Sequence, residues 1–133
     1  VSADDYTMFR IACLYKRSSI RSHARRLFTT PRDIRRALVG KKVSELRDQL
    51  LAFTKEAWAD IDRNRSPREF DSLRLIFADF LRTAELSIRK ASNKIGINFG
   101  ALSDWRRGVY KGNNARIADK VRRYLESQGV VIQ

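Results

Sequence analysis

Leu46, Leu50, Phe53, Ala57 and Ile61 follow one another at steps of 4, 3, 4 and 4 residues. That spacing returns to one side of a helix at every turn but scatters over both faces of a strand. It therefore requires an amphipathic helix over about 44–62. The rest of the chain offers little to interrupt such a pattern. Two prolines and six glycines punctuate 133 residues, and no alternating β-branched run reaches strand length. The expected fold class is all-α, a helical bundle. Helices are expected near 3–16, 20–28, 31–39, 44–62, 67–85, 87–95, 99–107 and 115–127.

Local signals set several of these boundaries. Thr30 as N-cap, Pro31 at the first helical position and Gly40 past the end bracket the helix 31–39. Ser66-Pro67-Arg68-Glu69 reads as a capping box with proline at N1, and Phe70, Leu73, Phe77, Phe80, Leu81 and Ala84 form the buried face that follows. The helices 44–62 and 67–85 are expected to pair as an antiparallel hairpin across the Asp62–Arg65 turn. That hairpin would bury Leu46, Leu50, Phe53, Phe70, Phe77 and Phe80. Tyr6, Phe9, Ile11, Cys13 and Leu14 give the first helix its apolar residues, with Cys13 as a packing thiol. Trp58 shares its spacing with Leu50, Leu51 and Ile61 and is read as core, and His23 as one more polar residue of a basic helix. No internal repeat and no Pro/Gly/Ser-rich linker is visible. The expected organisation is one continuous domain, or two closely docked pieces meeting near residue 86, with a helical N-terminal region, 1–86, and a second region, 87–133.

Charge is the second constraint. Lys+Arg is 28 against Asp+Glu 15, a net of +13 with an isoelectric point near 10.7. Such a charge opposes compaction by self-repulsion and points to a polyanionic partner, nucleic acid first. Residues 16–42 carry ten basic residues and one acid, and residues 87–133 ten basic and three acidic; the stretch 43–86 between them is near neutral, at −2. Twenty of the 28 cations are Arg, whose planar fork suits bidentate contacts to phosphate and guanine.

Several classes are excluded. The longest apolar run, Ile11–Tyr15, is far too short to span a membrane, and Val1–Asp5 lacks a signal-peptide layout. The absence of an initiator Met suggests a fragment of a longer chain. One cysteine forms no internal disulfide, which fits an intracellular setting: nucleus in a eukaryote, cytoplasm or nucleoid in a bacterium or phage. Cys13 and His23 cannot close a zinc site, so no metal and no cofactor is expected. Asp60 and Asp62 lack the further acidic partners of a two-metal nuclease, and there is no Gly-rich phosphate loop. The chain is therefore not expected to be an enzyme by itself.

The most specific segment is Ser87–Gly108. Ser87 caps a short helix whose inner face is Ile88, Ala91 and Ile95; Gly96 supplies the positive φ that ends it. Ile97 fills the angle, Asn98 caps a second helix, and Leu102 and Trp105 anchor that helix to the core. Small residues at 91 and 92 allow the steep approach of two such helices.

This pattern resembles the helix-turn-helix of the lambda-repressor/Cro-like family. The matching positions are Ala91, Ser92, Gly96, Ile97, Asn98, Leu102, Ser103, Trp105 and Gly108. It departs at Ile88, where the family often places a phosphate-contacting Gln. The continuation Tyr110-Lys111-Gly112-Asn113-Asn114 and the helix Ala115–Gln128 are similar to the version in Mu-type phage transposition proteins. The resemblance covers residues 87–128 and implies double-stranded DNA as partner, with the second helix in the major groove. Carried over residue by residue, Phe99, Gly100, Ser103 and Asp104 fall on the reading face, with Asn98 at its head. Arg106, Arg107, Lys111 and Asn113 fall toward phosphates at the helix exit, and Arg89, Lys90 and Lys94 where the first helix crosses the backbone.

Asp104 admits three readings: acceptance of a bond from cytosine N4, a grip on a base-linked sugar, or neutralisation by Arg107 at i+3. With Gly100 leaving room on the same face, the region also resembles the base-J-binding domain of trypanosomatid proteins. That resemblance implies a reader of glucosylated thymine. Two further classes stay open: a helical protein-interaction module meeting an acidic partner, and the targeting domain of a larger enzyme whose other domains lie on the same chain.

Overall fold

A computed structural model describes residues 4–40, 44–64 and 68–132. Among the described residues there are eight helices and no strand: α1 (Asp5–Tyr15), α2 (Ile20–Arg26), α3 (Pro31–Val39), α4 (Glu45–Asn64), α5 (Asp71–Thr83), α6 (Ile88–Ile95), α7 (Phe99–Arg107) and α8 (Asn114–Ser127). The chain divides into two units, Val1–Asn64 and Arg65–Gln133. The division falls before α5 rather than near residue 86, because α5 contributes Leu73, Phe77 and Leu81 to the core of the second unit.

In unit 1, α4 packs on α1 and α3, α1 on α3, and α2 on α3. Phe9, Cys13, Ala24, Ile34, Leu38 and Leu50 form the core. Trp58 is half-buried and its Nε1–H donates to the Met8 carbonyl at 3.0 Å, fastening α4 to α1. Arg47 fastens it to α3. One of its terminal nitrogens donates to the carbonyls of Ala37 (2.8 Å), Leu38 (3.1 Å) and Gly40 (2.9 Å) at the C-terminus of α3. The other reaches Asp5 Oδ2 at 2.6 Å. Burial pushes the Cys13 thiol up to about 12, as a packing thiol requires.

His23 corrects the sequence reading. It is buried, with its ring packed against those of Phe9 and Phe53 at centroid distances of 5.2 and 4.3 Å. Arg26 donates to Nδ1 at 3.1 Å, which leaves the proton on Nε2, 3.0 Å from Ser18 Oγ. Burial first, and the Arg26 charge second, hold the imidazole below its ordinary pKa of 6.5. As pH falls, the unfolded chain binds the proton before the folded one does. Stability from neutral His23 is therefore complete above 6.5 and is lost as pH falls through 6.5 toward the folded value. Unfolding curves at pH 7.5 and 5 should separate for wild type by more than for His23→Gln. Equal pH slopes for the two proteins would contradict a buried neutral imidazole.

In unit 2, α5 packs on α7 and α8, α6 on α7 and α8, and α7 on α8. The core is Leu73, Phe77, Leu81, Ala91, Leu102, Trp105, Ile117, Ala118, Val121 and Leu125. The α4 stripe contributes to the core of unit 1 and the α5 stripe to the core of unit 2. Leu50 and Phe77 are fully buried, whereas Leu46, Phe53, Phe70 and Phe80 are half-buried. Ser66 and Pro67 of the expected capping box lie outside the described residues. The helix itself starts at Asp71, after a turn at 69–70, and its N-cap Phe70 makes no side-chain capping bond.

Candidate nucleic-acid interface

Local hydrogen bonds build the segment from Ser87 to Asn114. Ser87 Oγ accepts the Lys90 N–H at 3.1 Å and opens α6. Gly96 ends it in the left-handed region, at φ 82° and ψ 36°, where a β-carbon would strain the backbone. The amides of Gly96 and Ile97 both return to the Ser92 carbonyl, at 2.9 and 3.1 Å. Asn98 Oδ1 then accepts the Ala101 N–H at 3.3 Å and opens α7 two residues after α6 has closed. Gly108 ends α7, again left-handed. Beyond it the Tyr110 ring folds over Gly112 and occupies the space a β-carbon would need. Asn113 Oδ1 accepts the Arg116 N–H at 3.1 Å and opens α8.

The position of α7 is set from below by Leu102 and Trp105, both 0% exposed, and by a buried arginine. Arg74 of α5 is 2% exposed. Its Nε–H donates to the Trp105 carbonyl at 2.6 Å, and its terminal nitrogens donate to Asp71 Oδ1 at 2.9 Å and Asn114 Oδ1 at 3.1 Å. Asn114 Nδ2 passes the link on to the carbonyls of Tyr110 (3.0 Å) and Gly112 (3.3 Å). The guanidinium also lies 5.1 Å from the centre of the Trp105 ring. One side chain thus ties α5 to the exit of α7 and the entry of α8. Burial holds Asp71 above the usual carboxylate range and Arg74 below its ordinary value, opposed in each case by the attraction between the two.

The residues singled out in the sequence fall into three groups. Lys90, Lys94, Asn98, Gly100, Lys111 and Asn113 are exposed. Phe99, Ser103, Asp104, Arg106 and Arg107 are half-buried. Arg89 is drawn onto the Phe99 ring, its guanidinium carbon 4.3 Å from the centroid, so the first residue of α7 and a cation of α6 act as one stacked pair. Asp104 Oδ1 lies 4.0 Å from Arg107, the i,i+3 neutralisation that was one of its three readings. A β-carbon at Gly100 would meet Asn98 Oδ1 at 3.2 Å, so the glycine also spares the cap.

Asn98 and Asn113 line one shallow cleft of about 190 Å³ together with Tyr110, Arg116 and Lys120. The two cations of α8 were missed, although their i,i+4 spacing is legible once α8 is drawn as a helix. Among the described residues no group of three or more His, Cys, Asp or Glu could hold a metal ion, and no helix is long and apolar enough to cross a membrane.

The geometry stands without a relative to compare it with: searches of protein-family models, curated proteins and solved structures return no significant match to this chain.

Proposed function

We propose that α6 and α7 form a helix-turn-helix that binds double-stranded DNA, with α7 in the major groove and no catalysis of its own. The observation that carries this reading is the junction Gly96–Ile97–Asn98. A left-handed glycine and an immediate N-cap turn the chain sharply between two short helices, with exposed cations before and after. Lys90, Lys94 and Lys111 would meet phosphates, and the first turns of α7 would face base edges. Asn98 and Asn113 can each offer amide donors while their oxygens cap helices.

Binding to a random duplex, titrated with salt, tests this. Counterion release predicts a steep linear fall of log K with log salt, with about 0.9 of slope for each phosphate contact. Lys90→Ala, Lys94→Ala and Lys111→Ala should each weaken binding to every duplex by a similar factor and lower the slope by roughly 1. Three unchanged slopes would sink the docking and favour an acidic protein as partner. Asp104→Ala should leave affinity unchanged or raise it, since its carboxylate repels phosphate. A loss confined to cytosine-varied or base-modified duplexes would instead mean that the carboxylate accepts a bond from a base or a base-linked sugar.

A further inference from the structure

Unit 1 repeats the plan of unit 2, although no repeat is visible in the sequence. The corner between α6 and α7 combines a left-handed residue, an amide that returns to a carbonyl five residues back, and an N-cap. The corner between α2 and α3 has the same three parts. Phe28 is left-handed at φ 54°, the Thr29 N–H donates to the Ala24 carbonyl at 2.9 Å, and Thr30 Oγ1 caps Asp33 at 3.1 Å. The corner preceding each matches as well: Arg17, Ser18 and Ser19 before α2 correspond to Glu85, Leu86 and Ser87 before α6.

Across both corners the offset is 68 residues, while the starts of α1 and α5 lie 66 apart and those of α4 and α8 69 apart. It carries Arg17 to Glu85, Ser19 to Ser87, Phe28 to Gly96, Thr30 to Asn98 and Gly40 to Gly108. It also carries core onto core: Phe9 to Phe77, Cys13 to Leu81, Ala24 to Ser92 and Ile34 to Leu102, all buried. The helices pack in the same pairs, α1 with α3 and α4 as α5 with α7 and α8, and α2 with α3 as α6 with α7. In this register the positions of Gly100, Ser103 and Asp104 on α7 are taken on α3 by Arg32, Arg35 and Arg36, all exposed. Arg21 and Arg26, also exposed, stand where α6 has Arg89 and Lys94.

We propose that unit 1 is a second duplex-DNA-binding module, with Arg32, Arg35 and Arg36 of α3 against phosphates and guanine edges of a further stretch of the same DNA. The partner class rests on the reading of α6 and α7 given above; the surface rests on the geometry of unit 1. Charge complementarity selects the occupant: three arginines occupy the positions at which α7 would face the groove. Phe28 is the second, independent sign. It is 97% exposed, and its left-handed backbone is one that glycine adopts without strain at the equivalent Gly96. An exposed ring held there at a conformational cost, between the cations of α2 and α3, fits an apolar contact to sugar and base surface. Two covalently joined modules on one duplex raise affinity by effective concentration rather than by new chemistry.

The experiment uses the whole chain. Arg32→Ala with Arg36→Ala leaves Arg35 on the Tyr6 ring, 5.7 Å from its centroid, and removes only exposed side chains. The double variant should melt as wild type does and lower the salt slope by roughly 2. Phe28→Gly should relieve the backbone and leave the melting temperature unchanged or higher, yet weaken binding by roughly fivefold or more. A merely structural Phe28 would move stability and not affinity. An unchanged slope in the double variant together with unchanged affinity in Phe28→Gly overturns the inference, whatever the lysines of unit 2 do. The converse, a lowered slope here with no effect at Lys90, Lys94 and Lys111, leaves the inference standing and removes the reading of α6 and α7.

Discussion

Arg74→Ala should destabilise unit 2 by about 3–5 kcal/mol, the usual cost of breaking a buried ion pair by removing one partner. The variant strands Asp71, whose side chain is 18% exposed, removes a charged donor from the Trp105 carbonyl, which keeps only the Gly108 amide at 3.0 Å, and takes the arginine from Asn114 Oδ1. Arg74→Met keeps most of the volume but none of the donors, so it should recover only part of the loss. The chain contains two tryptophans, Trp58 in unit 1 and Trp105 in unit 2, so fluorotryptophan NMR reads the units separately. The Trp105 signal should shift its unfolding midpoint to lower denaturant while the Trp58 signal holds. Equal midpoints for wild type and Arg74→Ala would mean that the guanidinium carries no structural weight.

Arg47→Ala should do the same to unit 1, by about 2–4 kcal/mol. Its ion pair with Asp5 contributes the smaller part, since the Asp5 side chain is 43% exposed and solvent screens it. The larger part is the loss of a charged donor to three carbonyls at the end of α3. Arg47→Lys has one nitrogen where the guanidinium uses two, so it cannot hold the carbonyls and Asp5 together and should fall well short of wild type. Here the Trp58 signal should move and the Trp105 signal should not. A shift in both signals would show that the two units unfold together.

Arg47 and Arg74 also show where sequence reasoning stops. Among twenty arginines, both looked like members of a near-neutral structural stretch, and nothing in their immediate neighbours marks one as a helix cap and the other as a buried brace. Their partners lie far off in sequence: Asp5 is 42 residues from Arg47, and Trp105 is 31 from Arg74. His23 was missed for the same reason, since its ring is buried by Phe9 and Phe53 from two other helices.

The sequence by itself determined that the chain is helical and set several of the helix ends. Thr30, Ser87 and Asn98 cap helices as their residue types and spacing require, and Gly96 and Gly108 are left-handed where the pattern demands it, whereas Asn113, read as a phosphate contact, turned out to cap α8. These features are legible because each is closed by a hydrogen bond or a backbone preference spanning only three to five residues. Only the tertiary structure decided which apolar stripe covers which. It assigned α4 to α1 and α3 and α5 to α7 and α8, put the boundary at 64/65, and showed the same two corners in both units, 68 residues apart. A stripe specifies that a face must be buried, and several faces of similar width compete to bury it. The choice falls to the combined shape of side chains distant in sequence, and the same choice decides which arginines are buried as braces and which remain exposed.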